Sequence, residues 1–285
     1  MKILNTINDL RQTLKPLRTQ KVTPNIALVP TMGNLHDGHL QLVKIAKQHA
    51  DIVVVSIFVN PTQFGVGEDF DSYPRTLEAD VAKIAGVADY VFAPSVAEMY
   101  PTFPPHIQVL SGEITQILCG KSRPIHFDGV GLVVGKLFNI VQPDIAIFGK
   151  KDYQQLAIIR QMVSELNFPI EIIGAEIVRA DDGLALSSRN QYLSKTERNI
   201  APQIQQALQS LKAEIQQANF SEFENLVEKT KHTLNSNGFN VDYLELHNQN
   251  LQPVTPSDKS LVLITAVWLG KARLLDNLEV MLNWK

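Results

Sequence analysis

The sequence contains a single cysteine, Cys119, among its 285 residues. One thiol cannot form an internal disulfide, and it supplies too few ligands for a cysteine-based metal site. No pattern around Cys119 points to a nucleophile, so a packed or incidental thiol is the better interpretation. The chain also lacks an apolar run close to the ~20 residues of a membrane-spanning helix. No signal-peptide pattern is found at its start, so we expect a cytoplasmic protein.

The sequence has little excess of either charge. Lys and Arg number 26 against 29 Asp and Glu, which gives a formal net charge of −3. This balance does not support nucleic acid or an anionic membrane as the main partner, although it allows a local basic pocket for a nucleotide. Hydrophobic residues make up 45% of the chain, which is typical of globular proteins and argues against disorder.

Two glycines and two histidines stand out in the stretch Pro30–His39, which reads PTMGNLHDGH. The apolar run at 25–29 predicts a buried strand, and the amphipathic run after the stretch predicts a helix that begins near Asp37 or Gly38. A strand, a glycine-bearing turn and a helix start place backbone N–H groups where doubly wound α/β proteins hold phosphate. We therefore expect an anion-binding turn here.

His36 and His39 can both face that anion because they lie three residues apart at a helix start. An imidazole donates a hydrogen bond and, when protonated, carries positive charge, which suits charge developing on phosphate oxygens. From the residues alone, three other interpretations stay open. The histidines can be surface residues, satisfied core groups or, with Asp37, metal ligands.

Three further polar motifs follow predicted strands or lie in a loop. Asn60–Gln63 follows a β-branched run at 51–59 that is typical of a strand buried on both faces. Gly149–Gln155 follows the apolar run 144–148, and its lysines near a helix start suggest a bound anion because they oppose the helix dipole. Ser187–Arg189 offers hydroxyls and a guanidinium that suit a phosphate clamp. Each motif can also be an ordinary turn.

The rest of the chain up to Asn190 predicts further strands and helices. After Asn190 the predicted helices are polar and rich in Gln, Glu and Lys. Thr76 is a predicted N-cap, and Ser221 with Glu224 is a predicted capping box. Hydrophobic periodicity predicts helices at 4–18, 76–87, 129–141, 195–217 and 221–236, and strands at 89–93, 107–110, 170–173, 175–178, 241–246 and 261–269, with another strand beginning at 271.

These motifs together resemble a known family. His36–His39 matches the HxGH motif of the nucleotidylyltransferase superfamily, and PTMGNLHDGH resembles the pantothenate synthetase (pantoate–β-alanine ligase) family in particular. The strings FVNPTQF, RPIHFDGV, GKKDYQQ and LSSRN are similar to strings of that family in the same order. Ile125 departs from the family, in which glycine is common at this position. The resemblance covers nearly the whole chain.

The resemblance implies an α/β fold in which a Rossmann-like parallel sheet with helices on both faces (1–178) is followed by a small α+β lid domain (179–285). It implies ATP-dependent condensation of pantoate with β-alanine to pantothenate through a pantoyl adenylate, with release of pyrophosphate and AMP. It further implies Mg²⁺ on the ATP phosphates, a homodimer, and small-molecule substrates as the partners, without nucleic acid or membrane.

The resemblance also assigns residues. His36, His39, Lys151 and Arg189 are implied to be catalytic, and Gln63 and Gln155 to bind pantoate or β-alanine. No protein ligand for a metal is predicted. The residues implied to bind ATP are Met32, Gly33, Asn34, Leu35, His36, Asp37, Gly38, His39, Gly149, Lys150, Lys151, Asp152, Val178, Leu186, Ser187, Ser188 and Arg189.

Other classes of function remain as alternatives to this ligase. A nucleotidylyltransferase acting on a phosphorylated acceptor would release pyrophosphate without AMP. A regulatory module would bind ATP without turnover. A metal-dependent hydrolase would be active without ATP.

Overall fold

A computed structural model describes residues 1–282 of the chain. These residues divide into two compact units. The first unit comprises Met1–Lys150 and Ile158–Glu176, and the second comprises Lys151–Ala157 and the residues from Ile177 on. None of the helices within residues 1–282 has the length and apolarity needed to cross a bilayer.

The first unit is built on a parallel sheet of six strands within residues 1–282. The strands are β1 (Lys2–Leu4), β2 (Ile26–Thr31), β3 (Ile52–Ile57), β4 (Tyr90–Phe92), β5 (Ile145–Gly149) and β6 (Glu171–Ala175). The order across the sheet is β1-β4-β3-β2-β5-β6. Strand β2 therefore lies between β3 and β5, and the chain changes its direction of winding at this point.

Helices of the first unit cover the sheet. They are α1 (Ile7–Arg18), α2 (Asp37–His49), α3 (Leu77–Ile84), α4 (Val96–Met99), α5 (Leu118–Ser122) and α6 (His126–Val141), and α7 (Tyr153–Glu165) begins in the second unit and continues in the first. On β3, Val53 and Val55 pack with Val43 and Ala46 of α2, while Val54 on the opposite face is also fully buried. Burial on both faces confirms the predicted central strand and the parallel α/β fold.

Several local predictions for the first unit are wrong. The predicted strand at 107–110 is irregular chain, because an alternating pattern alone does not form a ladder. The predicted N-cap at Thr76, by contrast, is confirmed in position, although its hydroxyl donates to the Asp80 carboxylate at 3.0 Å in place of a cap hydrogen bond. Strand β1 was not predicted, and β6 is followed by coil instead of a second strand at 175–178.

Ile125 is compatible with the backbone at its position. It precedes α6 with φ −98° and ψ −8°, in the right-handed region that any residue adopts. The glycine that is common in the family is therefore not required by the conformation seen here.

The second unit is a small α+β assembly. Its strands are β7 (Asn240–Asn248), β8 (Ser260–Leu269) and β9 (Ala272–Met281), and its further helices are α8 (Lys195–Ile200), α9 (Gln203–Ile215) and α10 (Phe223–Ser236). The strands form an antiparallel sheet in chain order. Leu208, Leu211 and Ile215 of α9 pack with Leu261 and Leu263 of β8 in its core.

Two predictions for the second unit need correction. The predicted helix at 195–217 is two helices, because Pro202 at the junction lacks the backbone N–H that a continuous helix needs. The capping box of Ser221 and Glu224 is wrong. Asn219 and Glu222 form the reciprocal cap instead.

Candidate active site

The predicted phosphate-binding motif lies at the point where the sheet changes its winding. Strands β2 and β5 are parallel neighbours, so their carboxyl ends lie at the same edge. The turn that carries the histidines follows β2, and Gly149 and Lys150 stand at the end of β5. Open α/β sheets bind ligands outside the carboxyl ends of the strands at such a point. The first unit therefore holds the histidine motif and the beginning of the Gly149–Gln155 motif in the place where this fold binds ligands.

His36 and His39 form a reciprocal cap on helix α2. The Nδ1 atom of His36 accepts a hydrogen bond from the Gly38 amide at 3.1 Å. The Nδ1 atom of His39 accepts one from the His36 amide at 3.3 Å. The ring centroids lie 4.1 Å apart. The two imidazoles are thus fixed by backbone groups at the helix start, where the positive end of the helix dipole favours an anion.

This cap determines which ring nitrogen carries the proton. A backbone N–H can only donate, so Nδ1 of each ring must be the acceptor. In a neutral imidazole the proton then resides on Nε2. His36 and His39 therefore each carry an Nε2–H donor, and neither ring needs a positive charge to donate a hydrogen bond to a phosphate oxygen.

Two glycines permit this geometry. A Cβ atom at Gly38 would lie 2.8 Å from the Cε1 atom of His36, so only glycine lets the ring approach this amide. Gly33 has φ +85° and is followed by Asn34 at φ +51°, a left-handed pair that favours these residue types. The PTMGNLHDGH motif thus encodes the backbone as well as the histidines.

Helix α3 holds the turn that leads to the histidines. The buried carboxylate of Asp80 accepts hydrogen bonds from the amides of Asn34 at 2.9 Å and Leu35 at 2.7 Å. The Lys83 ammonium donates to the Leu35 carbonyl at 2.5 Å. Sequence reasoning missed both side chains. A charged residue on the apolar face of the predicted helix was the available signal for Asp80.

Gln63 lies in a buried network after β3. The Asn60 amide nitrogen donates to Gln63 Oε1 at 3.1 Å and to the Gly129 carbonyl at 3.1 Å. The Tyr100 hydroxyl donates to Asn60 Oδ1 at 2.8 Å. The oxygen of the Gln63 amide accepts from Asn60, so the Gln63 amide nitrogen points away from Asn60. This nitrogen contacts Met32 Sδ at 3.0 Å. Gln63 therefore offers N–H donors, which suit a carboxylate or hydroxyl oxygen of a ligand.

Burial raises the pKa of the Tyr100 hydroxyl above its usual value, so this group stays a proton donor at neutral pH.

The backbone carbonyl of Gln63 is contacted by the loop that precedes helix α6 and by the first residue of that helix. Nδ1 of His126 lies 2.8 Å from it, and Arg123 pairs with Glu68 beside it at 2.5 Å. The hydrogen bonds from Arg123 lower the pKa of the Glu68 carboxyl, which keeps this pair charged.

The two lysines after β5 differ in their surroundings. The Lys150 ammonium forms an ion pair with Glu176 at 2.6 Å. The side chain of Lys151, a residue of the second unit, makes no ion pair or hydrogen bond with any residue from 1 to 282. Its ammonium therefore remains available to an anionic ligand. Gln155 follows in the first turn of α7 and is half-buried.

The Ser187–Arg189 motif follows a tight hairpin in the second unit. The Leu186 amide donates to the Val178 carbonyl at 2.9 Å. Ser187 caps the next turn, since its hydroxyl accepts from the Arg189 amide at 3.2 Å. Ser188 begins that turn. The motif is thus an ordered loop that presents hydroxyl and guanidinium groups.

The side chains that could ligate a metal are not clustered within residues 1–282. Between Met1 and Leu282, no group of three or more His, Cys, Asp or Glu side chains can hold a metal ion. Asp37, which follows His36, is exposed at the first position of α2. A metal with these residues as its ligand set does not fit the described part of the chain.

The fold and the motif define a class: a doubly wound α/β protein with an HxGH turn at the carboxyl edge of its parallel sheet. The sequence matches the pantoate-beta-alanine ligase family over residues 2–279. A protein named pantothenate synthetase from Psychrobacter sp. (strain PRwf-1) is 65% identical, with 97% of this chain and 98% of that protein covered. The chain belongs to the pantoate–β-alanine ligase family, a family of enzymes.

Solved structures agree with this assignment. The crystal structure of pantothenate synthetase from Thermus thermophilus has a TM-score of 0.89 and 42% identity, covering 99% of this chain and 100% of that chain. That of pantoate-beta-alanine ligase from Francisella tularensis, complexed with beta-gamma ATP and beta-alanine, has a TM-score of 0.78 and 36% identity, covering 98% and 97%. The predicted family, fold class and enzyme class are confirmed, whereas the individual site assignments stay predictions.

Proposed function

We propose that this enzyme condenses pantoate with β-alanine in two steps, with ATP consumed to AMP and pyrophosphate. The observation that carries the proposal is the pair of capped histidines, His36 and His39, at the ligand-binding edge of the sheet in a member of this family. The nucleotide and β-alanine bound by the Francisella tularensis relative support the substrates.

In the first step, a pantoate carboxylate oxygen attacks the α-phosphorus of ATP. A bond forms between this oxygen and phosphorus, the bond to the β-phosphate oxygen breaks, and pyrophosphate leaves with the bonding electrons. The carboxylate is ionised at neutral pH, so the step needs no general base. It needs alignment of the reacting atoms and stabilisation of negative charge on the phosphate oxygens.

The residues supply these two requirements. The Nε2–H groups of His36 and His39 would donate to phosphate oxygens, and the Lys151 ammonium would neutralise their charge. Arg189, with the hydroxyls of Ser187 and Ser188, would bind the phosphate chain. The turn from Met32 to His39 and the groups at Gly149–Asp152, Val178 and Leu186 would bind the rest of ATP.

Gln63 would orient pantoate because its amide offers N–H donors to an oxygen acceptor. Gln155 would be the second pantoate ligand, as the family motif implies. In the second step, the amine of β-alanine attacks the acyl carbonyl of the adenylate. The new C–N bond replaces the C–O bond to AMP, and the amine loses a proton.

We also propose that Mg²⁺ enters with ATP. The described residues offer no cluster of three ligating side chains, so the oxygens that hold the ion would be those of the ATP phosphates. When bound, it would supply charge neutralisation on those phosphates.

The test follows the phosphorus products of ATP with the purified protein and Mg²⁺. With pantoate alone we expect one equivalent of pyrophosphate per active site, and with β-alanine added we expect AMP and pantothenate in continuous turnover. Pyrophosphate without AMP on addition of β-alanine would indicate transfer to another acceptor and would overturn the proposal. Intact ATP under both conditions would overturn it as well.

We further propose a homodimer. Phe103, Ile107 and Leu110 lie close together in sequence and are all largely exposed, and we choose them as the apolar side chains that would be buried in the dimer interface. Light scattering should give twice the 31.8 kDa chain mass. The triple variant with serine at these positions should give the monomer mass, and an unchanged dimer would refute this choice of surface.

A further inference from the structure

Two adjacent polar residues, Asp276 and Asn277, interrupt the apolar sequence of strand β9. They are 3% and 4% exposed. Buried polar groups destabilise a fold unless they are hydrogen-bonded, so the partners of these two side chains indicate their purpose. Neither residue lies in one of the four polar motifs of the sequence.

Asp276 holds the hairpin that precedes the Ser187–Arg189 motif. Its carboxylate accepts two hydrogen bonds of 2.8 Å from the guanidinium of Arg179. Arg179 also donates to the Gly183 carbonyl at 3.1 Å, at the tip of the same hairpin. A bidentate pair of this kind fixes direction as well as distance, so the base and tip of the hairpin are both attached to β9.

Asn277 holds the backbone of Lys151. Its side-chain nitrogen donates to the Lys151 carbonyl at 3.0 Å. A carbonyl can only accept, so the orientation of the amide is fixed by its partner. The backbone N–H of Asn277 in turn donates to Asp276 Oδ1 at 2.8 Å. Strand β9 is thus the common support of two motifs that are separated in the sequence.

We propose that Asn277 is a positioning residue that places Lys151 for formation of the adenylate. The inference rests on the proposed function, in which the Lys151 ammonium neutralises phosphate charge. The lysine side chain is long and flexible, so its reach is set by where its backbone is held. A displacement of about 1 Å at a reacting group lowers a rate by up to about 100-fold.

The experiment measures the first-turnover release of pyrophosphate from ATP and pantoate. Asn277→Ala removes the donor, and Asn277→Leu removes it while keeping the number of heavy atoms. We expect each to slow pyrophosphate release by about 10-fold to 100-fold. The second step, started from supplied pantoyl adenylate and β-alanine, should change by less than about 2-fold, because Lys151 acts on the phosphates. Unfolding midpoints are measured for each variant, and the assays are run below them.

A double-mutant cycle separates positioning from a general structural effect. If Asn277 acts through Lys151, Asn277→Ala should slow the reaction by less than about 2-fold in a Lys151→Ala background. Multiplicative losses, or equal losses in both steps, would overturn the inference. The matched control is Asn240→Ala on β7 of the same sheet, which should leave both steps unchanged.

The outcomes also distinguish this inference from the function on which it rests. If Lys151→Ala itself leaves pyrophosphate release unchanged, the role proposed for Lys151 fails. If Lys151→Ala slows release while both Asn277 variants match the wild type, only the role of Asn277 fails.

Discussion

Asp80 of helix α3 connects the packing of the first unit to the position of the turn that leads to His36. Its carboxylate is fully buried and accepts hydrogen bonds from the amides of Asn34 and Leu35 and from the hydroxyl of Thr76. Asp80→Asn keeps the shape but replaces one acceptor oxygen by an NH₂ group. At least one backbone N–H of the turn then faces a donor.

The expected cost follows from those bonds. A hydrogen bond to a charged group contributes about 1.5–3 kcal/mol, and an unsatisfied buried donor costs about 1–3 kcal/mol. We therefore expect Asp80→Asn to lower the free energy of unfolding by roughly 2–4 kcal/mol. The turn 33–35 leads directly to His36, so kcat should fall by more than 10-fold at temperatures where the variant is still folded, a loss of at least about 1.4 kcal/mol in transition-state stabilisation.

The assay is urea unfolding together with steady-state kinetics. Glu78→Gln is the matched control, since Glu78 is an exposed carboxylate on the same helix, and it should change stability by less than about 0.5 kcal/mol. If Asp80→Asn behaves like Glu78→Gln in both measurements, the reasoning that Asp80 holds the histidine turn is refuted.

Three further predictions concern the remaining parts of the site. His39→Ala should abolish most activity but lower the free energy of unfolding by only about 1 kcal/mol, the usual value of a lost cap; a folded variant with a normal rate would contradict the role of this ring. Tyr100→Phe should raise the KM for pantoate about 5-fold through the loss of one hydrogen bond and leave the KM for ATP unchanged, with Tyr90→Phe as control; a change confined to ATP would exclude the Asn60–Gln63 network as its route. The lowered pKa of Glu68 means that its ionised form stabilises the fold above about pH 4.5 and that this contribution is lost as the pH falls through the lowered pKa. The stability difference between wild type and Glu68→Gln should therefore shrink on acidification, and a constant difference from pH 7 to pH 3 would argue against the ion pair.

The sequence allowed good prediction of the elements with long, regular patterns. The β-branched run of β3 and the strand–turn–helix around His36 were located closely, because hydrophobic periodicity and glycine positions are local signals. The predicted helix start near Asp37 is confirmed. The motif order also indicated the family correctly, since several weak strings in the right sequence reinforce one another.

Other features could not be predicted because their causes lie far away in the chain. Asp80 contacts a turn some 45 residues earlier, and Asn277 contacts a residue 126 positions away. The strand at 107–110 and the capping box at Ser221 were local patterns that other segments overruled. A short stretch of sequence can be compatible with both a strand and a loop, or with two different N-caps. The outcome depends on a strand partner elsewhere in the chain or on a competing cap such as Asn219.

Because of the cap on α2, the hydrogen bonding of two backbone amides depends on the state of the His36 and His39 rings. The amide protons of His36 and Gly38 bond to the same rings that are proposed to contact phosphate. Any event that places a proton on Nδ1, or that rotates a ring away from the helix, frees the corresponding amide for exchange with solvent. Hydrogen–deuterium exchange at these two positions would thus follow the imidazoles through the catalytic cycle without a label at the site.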